Sequence, residues 1–165
     1  MNLSLPLHLS IHIFFSLLAG FIVWRIWKKP FVAAIFGVIG GFLVDFDHFI
    51  DYYLAFGLNW NFRYFRDGYQ FLKSGKVYIV FHGWEYVIIL ILLVFLFKNK
   101  YAKIIFLSLA LGLFFHLVTD VIVDEMPVKS YSIIYRINHD FNIRYINSSV
   151  NYEKYLKRKL RVKFK

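Results

Sequence analysis

Four apolar segments dominate the chain, separated by three polar breaks. The segments are Leu7–Trp27, Phe31–Ile50, Val77–Phe97 and Tyr101–Val123. Each approaches the ~20 residues that a helix needs to cross the hydrocarbon core of a bilayer. Sustained apolar runs of this length are typical of membrane helices. The pattern therefore predicts an all-α fold, a four-helix transmembrane bundle, and an integral membrane protein.

The three breaks differ in character. The first and third are short and basic, Arg25–Pro30 and Lys98–Lys103. The middle break, residues 51–76, is longer and rich in Tyr, Phe and Trp. Amphipathic aromatic rings prefer the headgroup layer of a membrane. We therefore interpret the middle break as an interfacial segment of one or two helices that lie at the membrane surface.

A basic tail follows the fourth segment, which Pro127 ends because proline breaks a helix. We divide the chain into a transmembrane domain, residues 1–127, which carries the candidate site, and a juxtamembrane tail, residues 128–165. The tail has ten basic residues against two acidic ones, and the whole chain has a net charge of +10. Beside a membrane, such a tail favours anionic lipid headgroups as partners. We expect no nucleic-acid partner, because no module that reads nucleic acid is recognisable.

The histidines and carboxylates of the apolar segments all gather at one end of the predicted bundle. Because the chain reverses direction at each crossing, residues that open odd-numbered segments and close even-numbered ones reach the same face. No Asp, Glu or His occurs between residues 13 and 44 or between 86 and 115. Ionisable residues in membrane segments mark functional sites by default. The candidates are His8, His12, Asp45, Asp47, His48, Asp51, His82, Glu85, His116 and Asp120.

Small residues spaced by four indicate which way these side chains face. Gly37 and Gly41 precede Asp45 at this spacing, and Gly112 precedes His116 and Asp120. Small residues at such intervals let neighbouring helices approach closely. The stripes should therefore point into the bundle and turn the ionisable residues inward.

Imidazole and carboxylate groups without sulfur indicate a divalent metal, because the chain has no cysteine. This donor set suits Zn best, with Mn or Fe as alternatives. The number of donors allows one or two ions. We predict Asp45, His82, His116 and Asp120 as the principal metal ligands. The further predicted ligands are His12, His48 and Glu85.

These motifs resemble those of small membrane-bound metal-dependent hydrolases of the inner membrane, a family distantly similar to zinc-dependent phospholipases C. The resemblance rests on Gly41-x-x-x-Asp-x-Asp-His48, on His82-x-x-Glu85 and on Gly112-x-x-x-His-x-x-x-Asp120. Val44 stands where that family usually has proline, and Glu85 where a second histidine is usual. The resemblance implies hydrolysis of an ester, with a phosphoester favoured, on a lipid-borne or small-molecule substrate.

The general base of such a reaction remains open at this stage. Asp47, Asp51 and Glu85 are the candidates, since a carboxylate that does not bind metal can accept the proton of water. A non-catalytic metal-binding scaffold is the main alternative function. A transporter is less favoured, because the ionisable groups do not continue through the membrane.

The distribution of positive charge predicts the orientation in the membrane. The face with the candidate site and both termini carries fourteen Lys and Arg residues, and the opposite face carries six. Positive charge is retained on the cytoplasmic side. We therefore expect the site to face the cytoplasm of a cell membrane.

Overall fold

Two long helices, α1 (Leu5–Trp27) and α7 (Lys100–Val123), are each long and apolar enough to cross a membrane. A computed structural model describes residues 5–162 of the chain. Within that range the fold is helical, and its sole strand-like pairing is an isolated bridge between Lys76 and Asn142. The predicted all-α fold and the presence of candidate membrane spans are thus confirmed.

The second predicted span is broken. Helix α2 (Pro30–Gly41) ends at a tight turn, Leu43–Phe46, and α3 (Asp47–Phe56) continues at a bend of 44°. Glycines at the end of α2 favour such a break, because they weaken a helix interior. The described residues therefore contain two candidate spans, or three if the bent pair counts as one.

The third predicted span is shorter than expected. Helix α6 (Trp84–Leu96) has 13 residues, below the ~20 of a full span. Residues 77–83 are apolar but not helical, because distant carboxylates take up their backbone N–H groups. Asp51 accepts hydrogen bonds from the amides of Tyr78 and Ile79. The finer prediction of four membrane-crossing helices is therefore not established.

Close backbone contacts join α1, α2 and α7. A Cβ atom at Gly37 would lie 2.8 Å from the backbone nitrogen of Gly20, and one at Gly112 would lie 2.5 Å from the carbonyl oxygen of Gly37. Both distances are shorter than any ordinary contact, so only glycine fits. This packing follows the small-residue stripes of the sequence and brings the candidate ligands of three helices to one end.

The aromatic segment forms two short helices after α3, namely α4 (Phe62–Arg66) and α5 (Tyr69–Ser74). Its rings pack on one another, and the centroids of Phe49 and Phe65 are 4.5 Å apart. The glycines between these helices adopt positive φ angles, a conformation that costs glycine little. The segment therefore packs over the ligand-bearing end of α3.

The C-terminal segment, residues 128–162, is largely helical and packs against the rest of the described residues. It forms α8 (Ile133–Asn138), α9 (Ile143–Ile146) and α10 (Ser149–Arg161). Its buried side chains share one hydrophobic core with residues of α5, α6 and α7. The domain boundary predicted at residue 127 stays a prediction, and residues 163–165 of the predicted tail lie outside the described residues.

Candidate metal centre

Within the described part of the chain, residues 5–162, seven histidine and aspartate residues form four overlapping groups that could hold a metal ion. In each group of three, the potential ligand atoms lie within 4.8 Å of one another. The residues come from α1, the α2–α3 turn, α3, the segment before α6, and α7. They are His8, His12, Asp45, His48, His82, His116 and Asp120.

The central group is His82, His116 and Asp120. The Nε2 atoms of the two histidines are 2.9 Å apart, and Asp120 Oδ2 lies 3.7 Å from His82 Nε2 and 3.2 Å from His116 Nε2. Ligands at 2.0–2.1 Å around a tetrahedral ion are separated by about 3.3 Å. The three distances bracket that value, so this group has the dimensions of three ligands of one small cation.

Asp45 lies beside the same two imidazoles. Its Oδ1 atom is 3.4 Å from His82 Nε2 and 3.5 Å from His116 Nε2. His48 Nε2 lies 3.6 Å from that oxygen. A quarter of the Asp45 side chain and 32% of the His48 side chain are exposed, whereas His82 and His116 are buried. The centre therefore opens to its surroundings on the side of Asp45 and His48.

A second pair of histidines faces the other oxygen of Asp120. His12 Nε2 lies 3.2 Å from Asp120 Oδ1 and 2.8 Å from His8 Nε2. His8 Nε2 is 4.0 Å from the same oxygen. The carboxylate of Asp120 thus lies between two histidine pairs, one at each oxygen.

Hydrogen bonds fix the orientation of both central imidazoles. His116 Nδ1 donates to the carbonyl oxygen of Gly41 at 2.8 Å, because that oxygen can only accept. His82 Nδ1 donates to the Asp47 carboxylate at 2.9 Å. In the neutral rings both Nε2 lone pairs then face each other across 2.9 Å. Such an arrangement is stable only with a cation or a proton between the nitrogens.

The pKa of His82 indicates the same need for a positive charge between the two imidazoles. Burial lowers the pKa of His82, but its hydrogen bonds to Asp45 and Asp47 outweigh that effect and raise the pKa to about 10. The two carboxylates therefore favour a positive charge on this imidazole when no metal is bound. A metal cation can take over the same charge-balancing role.

Asp47 and Asp51, both predicted as candidate bases, are buried and already engaged. Asp47 Oδ2 accepts from His82 Nδ1 and from the amide of Phe81, and Asp51 accepts from the amides of Tyr78 and Ile79. Ile79 has a positive φ of 29°, a strained conformation for a β-branched residue. Asp47 therefore orients the imidazole of His82, and Asp51 holds the strained turn that leads to His82.

Glu85 is not brought to the other ligands. Its carboxylate accepts hydrogen bonds from the Ser132 hydroxyl and from the amides of Ile133 and Ile134, at the start of α8. Glu85 belongs to none of the four groups found among the described residues. We therefore leave it out of the proposed ligand set and out of the proposed catalytic residues.

The predicted ligands and catalytic residues omit His8 and Asp124, although His8 is among the candidates at the same end of the bundle. His8 joins the group with His12 and Asp120, and its spacing of four from His12 is the sequence signal that indicates it. Asp124 follows α7, where desolvation and the nearby charge of Asp120 raise its pKa to about 6. Asp124 follows Asp120 at a spacing of four, and its amide donates to the carbonyl oxygen of Asp120, so this spacing is the sequence signal that indicates it.

No family model, curated protein or solved structure matches this chain. The function is therefore argued from the geometry of the centre and from the motifs of the sequence.

Proposed function

We propose that the protein is a membrane-embedded, metal-dependent hydrolase that acts on an ester, with a phosphoester as the preferred class. The observation that carries this proposal is the His82–His116–Asp120 group, which has the spacing of three metal ligands. Catalytic zinc sites commonly use three protein ligands and keep a further position for water or substrate. Partial exposure of Asp45 and His48 supports access from one side.

The proposed metal is Zn, with Mn or Fe as alternatives for the same nitrogen and oxygen donors. A divalent cation in such a site lowers the pKa of water toward 7 and polarises a phosphoryl or carbonyl oxygen. The contact of Asp120 with two histidine pairs supports either one ion or two. The Nε2 atom of His82 can bind only one ion, although His82 belongs to two of the four groups.

We assign the role of general base to His48. Asp47 and Asp51 are engaged in buried hydrogen bonds, and Glu85 holds the start of α8. His48 Nε2 lies beside Asp45 at the accessible side of the centre. Histidine is the side chain most often used as a general base. Asp45 then completes the ligands or orients the imidazole of His48.

A lipid-borne substrate and anionic lipid headgroups are the proposed partners. Helix α10 is basic, and Arg158 and Arg161 line a groove of ≈ 430 Å³ together with Arg66 of α4. Arginine binds phosphate with two parallel hydrogen bonds. The candidate spans and this charge distribution support an integral membrane protein with the metal centre at the cytoplasmic face. The sequence motifs support membership of the membrane-bound hydrolase family described above.

A non-catalytic metal-binding scaffold is the second candidate. The crowding of donors favours it, because His12, His82 and His116 are buried and seven donor residues surround a small volume. If all of them bound metal, no position would remain for substrate.

Headgroup release from lipid vesicles distinguishes the two functions. Zn-loaded protein is reconstituted in vesicles of mixed anionic and zwitterionic phospholipids, and water-soluble phosphate esters are followed over time. The hydrolase proposal predicts release by the wild type and background release by Asp120→Asn and by metal-stripped protein. His48→Ala should retain metal but lose most of the activity. Equal background release from all preparations, despite bound metal in the wild type, would favour the scaffold.

A further inference from the structure

Arg136 of α8 is fully buried directly behind the metal centre. Its relative exposure is 0%, and its Nη2 atom donates a hydrogen bond to the backbone carbonyl of His82. Its Nε and Nη1 atoms are buried and have no hydrogen-bond partner among the described residues. Burial of a guanidinium is costly unless other charges compensate for it.

Carboxylates near the guanidinium offset part of that cost. Arg136 interacts electrostatically with Asp47, Glu85 and Asp51, and the Asp47 interaction is the largest of the three. Asp47 Oδ1 is itself buried and has no hydrogen-bond partner within residues 5–162, while Oδ2 accepts a hydrogen bond from His82. Arg136 is therefore a fixed positive charge that interacts electrostatically with the carboxylate that orients His82, and it also donates a hydrogen bond to the backbone of His82.

The segment that carries His82 depends on such contacts for its position. Residues 77–83 form no helix, and Ile79 has a strained backbone. The C-terminal segment holds both ends of this stretch. At its start, the amide of Val77 donates a hydrogen bond to the carbonyl oxygen of Phe141. After it, the Trp84 indole donates to the carbonyl of Val128 at 2.9 Å.

We infer that Arg136 is a positioning residue of the metal centre, through which the C-terminal segment sets the place of His82 and Asp47. This inference rests on the proposed metal-dependent function. Hydrogen-bonded partners of metal ligands typically account for a 10–100-fold effect on metal affinity. The C-terminal segment is then a structural part of the site, even though it supplies none of the proposed ligands.

The test is metal binding by full-length variants in detergent. Zn²⁺ affinity is measured by competition with a chromophoric chelator, and Co²⁺ spectra report the ligand geometry. Arg136→Met removes the charge and the hydrogen bond at similar side-chain volume. Arg136→Lys keeps the charge but loses the planar fork. Arg144→Met, an exposed position in α9, is the matched control. Thermal unfolding of each variant is followed in parallel.

We expect Arg136→Met to weaken Zn²⁺ binding by at least about tenfold and to alter the Co²⁺ spectrum. Arg136→Lys should fall between Arg136→Met and the wild type, and Arg144→Met should match the wild type. If Arg136→Met does not fold, Arg136→Lys carries the test, because it retains the buried charge. Wild-type affinity and an unchanged Co²⁺ spectrum in the folded variant would overturn the inference. Failure of the wild type to bind metal would instead overturn the proposed function itself.

Discussion

Replacement of Asp47 by asparagine is expected to weaken metal binding while leaving the fold intact. Asparagine has nearly the same shape as aspartate but lacks the negative charge. In the structure, Asp47 Oδ2 accepts 2.9 Å and 2.7 Å hydrogen bonds from His82 Nδ1 and the amide of Phe81. The neutral amide can keep one of these bonds, but it stabilises the imidazole of a metal ligand less well.

The expected magnitude follows from the position of Asp47 next to a ligand. Loss of a hydrogen-bonded partner of a ligating histidine costs 10–100-fold in affinity, or about 1.4–2.7 kcal/mol. Asp47 is fully buried, so solvent cannot replace the lost charge. The upper part of this range is therefore expected.

The assay is a competition titration of purified protein with Zn²⁺ and a chelator of known affinity. Asp140→Asn is the matched control, because the Asp140 side chain is 81% exposed and lies in a surface ion pair with Lys76. The control should bind Zn²⁺ as the wild type does. A Zn²⁺ affinity of Asp47→Asn within about twofold of the wild type would refute the orienting role of Asp47.

Two further predictions concern the bundle. Gly112→Ala should lower the free energy of unfolding in detergent by about 1–3 kcal/mol or more, because its Cβ would lie 2.5 Å from a carbonyl oxygen of α2. Phe95→Ala, at an exposed position, is the control. Equal losses of stability in the two variants would contradict the close packing of α2 and α7. Single cysteines in place of Arg63 and Val150 should be labelled from the same side of the membrane. A cysteine within residues 98–103 should be labelled from the opposite side. Labelling of the first two cysteines from different sides would refute the predicted topology.

The ligand-bearing end of the bundle could be predicted because local rules govern it. Spacing by four places Gly112, His116 and Asp120 on one helical face, and chain reversal brings the ends of successive helices together. The structure places His116 and Asp120 in one group with His82, and Asp45 beside the two histidines. Such regularities depend only on helix geometry, which the sequence carries directly.

The roles of the carboxylates could not be predicted, because they depend on contacts between distant parts of the chain. The amides that donate hydrogen bonds to Asp51 lie 27 and 28 residues away from it, and those that donate to Glu85 lie near residue 133. These bonds replace the first turns of the third predicted helix and fix the C-terminal segment. An apolar pattern alone cannot show that residues 77–83 are tied to side chains elsewhere.

The burial of Arg136 illustrates the same limit. In the sequence it is one cation of a basic tail, whereas in the structure it has a relative exposure of 0%. Only the position of α8 behind the metal centre distinguishes it from the exposed cations of α10.

Elemental analysis of the protein, purified in detergent without added metal, shows whether the proposed metal centre binds an ion. We expect at least one tightly bound transition metal per chain, with Zn as the expected element. His116→Ala should lose this metal, because His116 Nε2 lies within about 3.5 Å of three other ligand atoms. His139→Ala should retain it, since the imidazole of His139 stacks on Tyr135 of α8. Equal metal content in the wild type and His116→Ala would contradict the proposed metal centre. The absence of bound metal from the wild type even after Zn²⁺ loading would contradict it as well.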